Sequence, residues 1–139
     1  MTIFTDTSAI YSLLDRDDAN HKQAKASLSE ILDAGDSLLT TNYVLIESFA
    51  LLQHRIGMEA ARTLHEDILP IISIEWVHET VHRAGVSALL AASKRRLSLV
   101  DCVSFETMRA LGIRSAFAFD PHFSEQGFTC IPGALSGRP

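Results

Sequence analysis

Residues 2–14, TIFTDTSAIYSLL, set the reading of the whole chain. Thr2, Ile3, Phe4 and Thr5 suit a short strand, and that strand ends on a carboxylate, Asp6. Thr7 or Ser8 then serves as the cap of a helix over residues 8–14. The alternation repeats downstream. Residues 20–34 form a polar amphipathic helix with Ala24, Leu28, Ile31 and Leu32 inward, closed by Gly35. Residues 38–40 form a second strand, and Thr41 or Asn42 caps a helix over 43–54. Gly57 separates this from a helix over 58–68, and Pro70 precedes a β-branched strand over 71–74. Helices over 76–93 and 101–111 follow, the latter broken by Gly112. A strand over 116–119 stops at Asp120-Pro121, and residues 128–131 add an edge strand. Short strands alternating with helices imply an α/β fold, with a parallel sheet of four to five strands covered on both faces.

At 139 residues the chain is expected to be one domain over residues 1–131, with PGALSGRP at 132–139 as a loose tail. A hydrophobic content of 47% can bury a core without disulfides or structural metal. Cys102 and Cys130 lack CxxC or metal-ligand spacing and read as buried reduced thiols. The start, MTIFTDTS, has no basic segment before an apolar run, and no stretch approaches the ~18–20 apolar residues of a membrane span. The expected location is the cytoplasm, without membrane association. A net charge of −5 argues against a general nucleic-acid-binding module, because phosphate neutralisation favours a basic surface. It does not exclude an enzyme that holds phosphates through metal ions.

Four acids stand in apolar surroundings: Asp6 in TIFTD, Glu47 in NYVLIESFALL, Asp101 in LSLVDCVSF and Asp120 in SAFAFD. No Lys or Arg lies within three residues of Asp6, Glu47 or Asp120. A carboxylate beside a core is costly unless it is paired or bound to a cation. Asp6 and Asp120 are each expected at the last position of a strand, on the rim where α/β sheets bind ligands. Glu47 shares a helix face with Val44 and Leu51. Asp101 opens a helix, with Phe105 and Met108 on its own face. Individually, Asp6 and Asp101 also fit helix caps and Asp120 a turn residue, while Glu47 could pair with Arg55 or Arg62.

If the four converge, mutual repulsion raises their pKa values, and a hard divalent cation reverses that cost. Oxygen ligands suit Mg²⁺ or Mn²⁺ rather than Zn²⁺. His78 and His82 are spaced i, i+4 without an HExxH pattern and are read as surface residues. Such a centre suits phosphodiester hydrolysis.

Four segments then carry a family resemblance: DTSAIYSLLDRDDANHKQA, TNYVLIESFALL, LSLVDCVSFETMRALGI and AFAFDPHFSEQGF. In this order and spacing they resemble the PIN domain, specifically the VapC-type ribonuclease toxins, over about residues 2–128. The resemblance implies a PIN-like three-layer α/β/α fold. It implies that Asp6, Glu47, Asp101 and Asp120 form a Mg²⁺ or Mn²⁺ site, with supporting roles for Ser8 and Ser104. It further implies a metal-dependent endoribonuclease leaving 5′-phosphate ends, the toxin of a type II toxin–antitoxin pair. Its partners would be RNA, a small antitoxin protein and a second copy in a homodimer. The alternatives are a PIN nuclease of RNA processing and a non-catalytic interaction module whose acids serve as caps and salt bridges.

His122, in the FDPHF turn, is read either as orienting a ligand or contacting RNA phosphate, or as a turn histidine bonded to backbone. Lys94-Arg95-Arg96 leads into the Asp101 segment and fits either the RNA path or a solvated helix end. Phe105, Met108, Phe117 and Phe119 are read as core, and Tyr11, Leu13, Leu14 and Trp76 as core or partner-facing. A haloacid-dehalogenase-like phosphatase would need a second acid at the position of Ser8. A response-regulator receiver would need adjacent acids after the first strand and a Lys after the last.

Overall fold

Alternation within two strands shows how the molecule is layered. In β1 (Thr2–Thr5), Ile3 and Phe4 are both fully buried yet belong to two different core clusters. The same holds for Ala116 and Phe117 in β4 (Ser115–Phe117). Successive side chains of a strand point to opposite faces, so both faces of these central strands are covered. The computed structural model describes residues 1–133. The tail expected at 132–139 therefore lies, from residue 134 onward, outside the described residues.

The elements run β1, α1 (Thr7–Leu14), α2 (His21–Asp33), β2 (Ser37–Thr41), α3 (Asn42–Arg55) and α4 (Met58–Thr63). The helical path continues through one wide turn at Leu64–Ile68 and one tight turn at Leu69–Ile71. Then come β3 (Ile72–Glu75), α5 (Glu79–Ala92), α6 (Leu99–Leu111), β4, α7 (His122–Glu125) and β5 (Thr129–Ile131). The sheet is five-stranded in the order β3-β2-β1-β4-β5, and every pairing is parallel. The fold is a three-layer α/β/α sandwich, as expected, with residues 129–131 on the edge.

One face packs Ile3, Leu38, Ile72 and Phe117 against Ala24 and Ile31 of α2. The other packs Phe4 and Ala116 against Val44, Leu52, Leu64, Phe105, Met108 and Phe123. Phe105 meets Phe123 edge-on at 5.0 Å between ring centroids. Each such buried ring contributes about 2–3 kcal/mol relative to exposure. Gly85 lets α5 close on α6, since a Cβ there would sit 2.5 Å from Cγ2 of Val103.

Several expected boundaries shift for physical reasons. Helix α5 starts at Glu79, not at residue 76, because Asn42 Oδ1 accepts the Val77 N–H at 2.7 Å and holds that backbone out of the helix. Trp76 is consequently exposed. In α2, Ser27 rather than Leu32 is buried, and Leu32 is 44% exposed. The structure chooses among the expected caps. Thr41 caps α3 by accepting from Val44 N, as expected, and for α1 the alternative cap, Asp6, serves in place of Thr7 or Ser8. Strand β4 ends at Phe117, so Asp120 lies three residues past the strand instead of at its last position. Phe119 is only partly buried, as its backbone is already leaving the sheet.

Candidate metal centre

In a parallel sheet the carboxyl ends of all strands lie on one rim, and the segments leaving β1 and β4 meet there. Backbone N–H of Asp6 donates to the Phe117 carbonyl at 3.1 Å, extending the β1–β4 pairing by one step. Asp6 is also the N-cap of α1: its Oδ2 accepts from Ser8 N at 3.2 Å and from Ser8 Oγ at 2.7 Å. Ser8 Oγ in turn accepts the Phe119 N–H at 3.0 Å. Ser8 thus ties the start of α1 to the segment that delivers Asp120.

Asp101 reaches the rim from α6. Ser98 caps that helix, accepting from Asp101 N at 3.0 Å, while Asp101 Oδ2 accepts from Ser98 N at 3.1 Å. This reciprocal capping box fixes Asp101 at the third helical position. Asp101 is therefore not the cap itself. Ser98 escaped the sequence reading, although the S-x-x-D spacing of residues 98–101 carried the signal.

His122 opens α7, and its backbone N–H donates to Asp120 Oδ1 at 2.9 Å. Its ring, rather than bonding backbone, turns toward the acids, with Nδ1 3.0 Å from Asp120 Oδ1 and 3.5 Å from Asp101 Oδ2. That nitrogen is buried, and neither approach gives it a well-aligned hydrogen bond. One ligand atom each from Asp101, Asp120 and His122 lie within 4.8 Å of one another. The three-residue group thus includes an imidazole nitrogen beside two carboxylates.

Burial, first of all, raises the Asp6 carboxyl from 3.8 to about 7. The two Ser8 hydrogen bonds oppose that shift, and the negative charges of Asp101 and Asp120 add to it. Asp101 is also pushed up, by burial first and by Asp120 as well, against the hydrogen bonds from Ser98 and the nearby His122. Neither Asp6 nor Asp101 forms a salt bridge with Lys or Arg among the described residues. Crowded carboxylates without a cation and a buried nitrogen without an aligned partner match what a divalent ion would satisfy. The group can hold a divalent metal.

Like Asp6, Glu47 lies outside this three-residue group. It is partly buried and lines a shallow depression of about 220 Å³ with Tyr43, Ile46 and Val100, the residue before Asp101. It has no pair with Arg55 or Arg62; Arg62 faces Glu59 at 3.6 Å instead. The next residue, Ser48, approaches Thr7 Oγ1 at 3.4 Å, so this turn of α3 abuts the start of α1. Ser104 is fully buried and donates to the Val100 carbonyl at 2.8 Å, within its own helix.

Lys94, Arg95 and Arg96 are exposed in the loop before Ser98 and form no ion pair among the described residues. Arg109 pairs with Glu106 at 3.2 Å and donates to Gln126 at 2.8 Å. His78 is exposed as expected, but His82 is partly buried and hydrogen-bonded to the Tyr43 hydroxyl. Cys102 is buried and Cys130 partly so; both are free thiols. Tyr11, Leu13 and Leu14 pack against the two cores. Among the described residues no helix is long and apolar enough to cross a membrane.

Comparison with known proteins agrees with this fold. The PIN domain model matches residues 3–128. The 23S rRNA-specific endonuclease VapC20 of Mycobacterium tuberculosis is 35% identical over 130 residues, covering 91% of this chain and 95% of that protein. The crystal structure of VapC20, described as a Sarcin-Ricin loop cleaving toxin, superposes with a TM-score of 0.80 at 34% identity, over 91% of this chain and 96% of that one. The structure of FitAcB from Neisseria gonorrhoeae shares the fold, with a TM-score of 0.67 at 16% identity over 94% and 96% of the two chains.

Proposed function

The chain belongs to the PIN domain family and is homologous to the VapC-type toxin ribonucleases, and from that premise we propose that it is a metal-dependent endoribonuclease, the toxin of a type II toxin–antitoxin pair. The observation that carries the reading is the meeting of Asp101, Asp120 and His122 within 4.8 Å, beside an Asp6 whose carboxyl is raised to about 7. The functional unit is residues 1–131, with 132–139 as its tail.

Asp6, Glu47, Asp101 and Asp120 would together hold Mg²⁺ or Mn²⁺, with Asp6 and Glu47 approaching from beside the three-residue group. When bound, the cation supplies Lewis-acid charge stabilisation for phosphodiester hydrolysis. Ser8 positions Asp6 through its 2.7 Å hydrogen bond and anchors the Phe119 backbone, so its hydroxyl joins the β1–β4 ladder in tying the two carboxylate-bearing segments together. His122 lies against Asp120 and Asp101 and orients them. Ser104 steadies the first turn of α6 beneath Asp101. Lys94, Arg95 and Arg96 draw the RNA backbone toward that turn. The likeness to VapC20 favours a toxin over a processing nuclease and makes a loop of large-subunit ribosomal RNA the first substrate to test. A small antitoxin and a second copy of the chain are the expected protein partners.

The test is to map RNA ends after brief expression of wild type and of Asp6→Asn. New 5′-phosphate ends at discrete loop positions are expected with wild type alone. Ends bearing only 2′,3′-cyclic phosphate, or the same ends with Asp6→Asn, contradict the mechanism.

A further inference from the structure

Beside the carboxylates lies a pocket of about 330 Å³, near the lower end of the roughly 300–1,000 Å³ range of small-ligand sites. Ser8 and Asp120, both part of the centre described above, line it together with Tyr11, Ser12, Leu51 and Arg55. The pocket wall includes two acids, Asp18 and Asp120, and one guanidinium, that of Arg55.

Arg55 is the last residue of α3. Its guanidinium carbon sits 5.5 Å from the centroid of the Tyr11 ring. Tyr11 braces the guanidinium by its ring and by a side-chain hydrogen bond, and Asp15 lies within its field, yet a planar fork of five N–H donors is not used up by one such contact. Arg55 makes no salt bridge among the described residues, so its charge is not cancelled by direct contact with a carboxylate. The neighbouring acids are already engaged. Asp15 accepts from the Tyr11 hydroxyl at 2.6 Å and from Asp17 N at 3.0 Å. Asp18 accepts from the Ser12 hydroxyl at 2.9 Å and from Asn20 N at 3.0 Å. What remains is a braced planar cation with donors to spare, in a space contiguous with the metal-binding group. Such a fork matches a phosphate diester.

We propose that this pocket seats the nucleotide adjoining the scissile phosphodiester, with Arg55 bound to its backbone phosphate. The inference rests on the nuclease reading above: a strand whose phosphodiester lies at Asp101 and Asp120 carries its neighbouring phosphate into an adjoining space, and this space holds a cation. Arg55 is then a positioning residue for substrate. It sets where the strand lies and leaves the chemical step to the carboxylates.

The experiment compares wild type, Arg55→Gln and Arg55→Lys by two readouts. The first is the affinity of a fluorescein-labelled single-stranded RNA in EDTA, where no metal-dependent cleavage occurs, measured against salt concentration. The second is the steady-state cleavage of the same RNA in Mn²⁺. Arg55→Gln is expected to weaken binding and raise KM about tenfold with kcat within about twofold. The slope of log affinity against log salt should become shallower by about 0.7, the loss of one phosphate contact on a single strand. Arg55→Lys keeps the charge and should restore the slope while recovering only part of the KM. Should Arg55→Gln melt at a lower temperature, the Lys variant at matched stability decides.

Unchanged affinity and salt slope in Arg55→Gln, with wild type cleaving normally, would overturn the proposal and leave the nuclease reading intact. RNA binding that depends on Arg55 without any cleavage in Mn²⁺ would sink the nuclease reading instead, with the phosphate contact standing. Unaltered RNA affinity accompanied by changed self-association would give the pocket to a protein surface and overturn the proposal as well.

Discussion

Two groups of aspartates, separated by one short helix, behave in opposite ways. At the carboxyl rim of the sheet, Asp6 is 3% exposed, sits among like charges and has its carboxyl raised to about 7. Just past the end of α1, Asp15 and Asp18 are held by hydroxyl and backbone donors, and Asp15 is lowered, above all by the Tyr11 hydroxyl. In both places a hydroxyl reaches the carboxylate, Ser8 at Asp6 and Tyr11 or Ser12 at Asp15 and Asp18. Both groups accept hydrogen bonds, and the difference lies in burial and in neighbouring charge. Donors satisfy the second group, whereas burial and mutual repulsion leave the first in need of positive charge. An acid that needs a cation marks a site, and an acid that has its partners marks a turn.

The largest expected contrast is catalytic. Asp101→Asn should reduce RNA cleavage by about 1,000-fold or more, while Asp18→Asn should leave kcat within about twofold. Equal losses in timed cleavage assays would erase the distinction between the two groups.

Stability against pH, measured by denaturant unfolding in EDTA, should separate them by sign. Asp6 has a folded pKa of about 7 against an ordinary value of 3.8, so between those values the folded state holds more protons than the unfolded one. Stability of the metal-free protein should fall as pH rises through this window, by on the order of 4 kcal/mol, and Asp101 pushes the same way. Asp15 has the opposite sign. Its contribution is present above the ordinary carboxylate pKa and is lost as pH falls through the lowered folded value. Asp6→Asn should flatten the first slope and stabilise the metal-free protein at pH 8. A flat wild-type profile from pH 4 to 8 would remove the electrostatic argument for the centre.

Metal linkage sharpens the same comparison. Mn²⁺ at about 100 times its Kd should stabilise wild type by about 2.7 kcal/mol, a rise in Tm of roughly 8 °C for a chain of this size. Asp18→Asn should keep that response and Asp6→Asn should lose most of it, as read by calorimetry. The smallest effect concerns positioning. Ser98→Ala removes the reciprocal cap that holds Asp101, which should cost about 1 kcal/mol in stability and weaken Mn²⁺ binding several-fold. Unchanged Mn²⁺ affinity in a calorimetric titration would mean that the cap supports the helix alone.

Much of this was legible in the chain itself. Short β-branched runs between amphipathic segments specify strands and helices by local periodicity, so the parallel sheet, an edge strand at 128–131 and the rim bearing Asp6 and Asp120 followed without coordinates. The separate oddness of Asp6, Asp101 and Asp120 was likewise visible, because a charge beside an apolar run is a local anomaly. Where reading faltered, a distant partner decided. Asn42 shortened α5 from 35 residues away, and the ring of His122 turned to carboxylates rather than to backbone.

Local sequence thus determined which elements form and which residues are out of place, since periodicity and capping act within a few neighbours. Only the tertiary structure decided which acids share a field. It joined Asp101 from α6 to Asp120 and His122 after β4, set Asp6 under their charges, and left Glu47 one step aside in its own depression. It also kept the acids of the 15–20 loop apart as a satisfied turn. The reason is physical: repulsion between carboxylates and their loss of solvent depend on distance and burial, and chain order alone does not specify either.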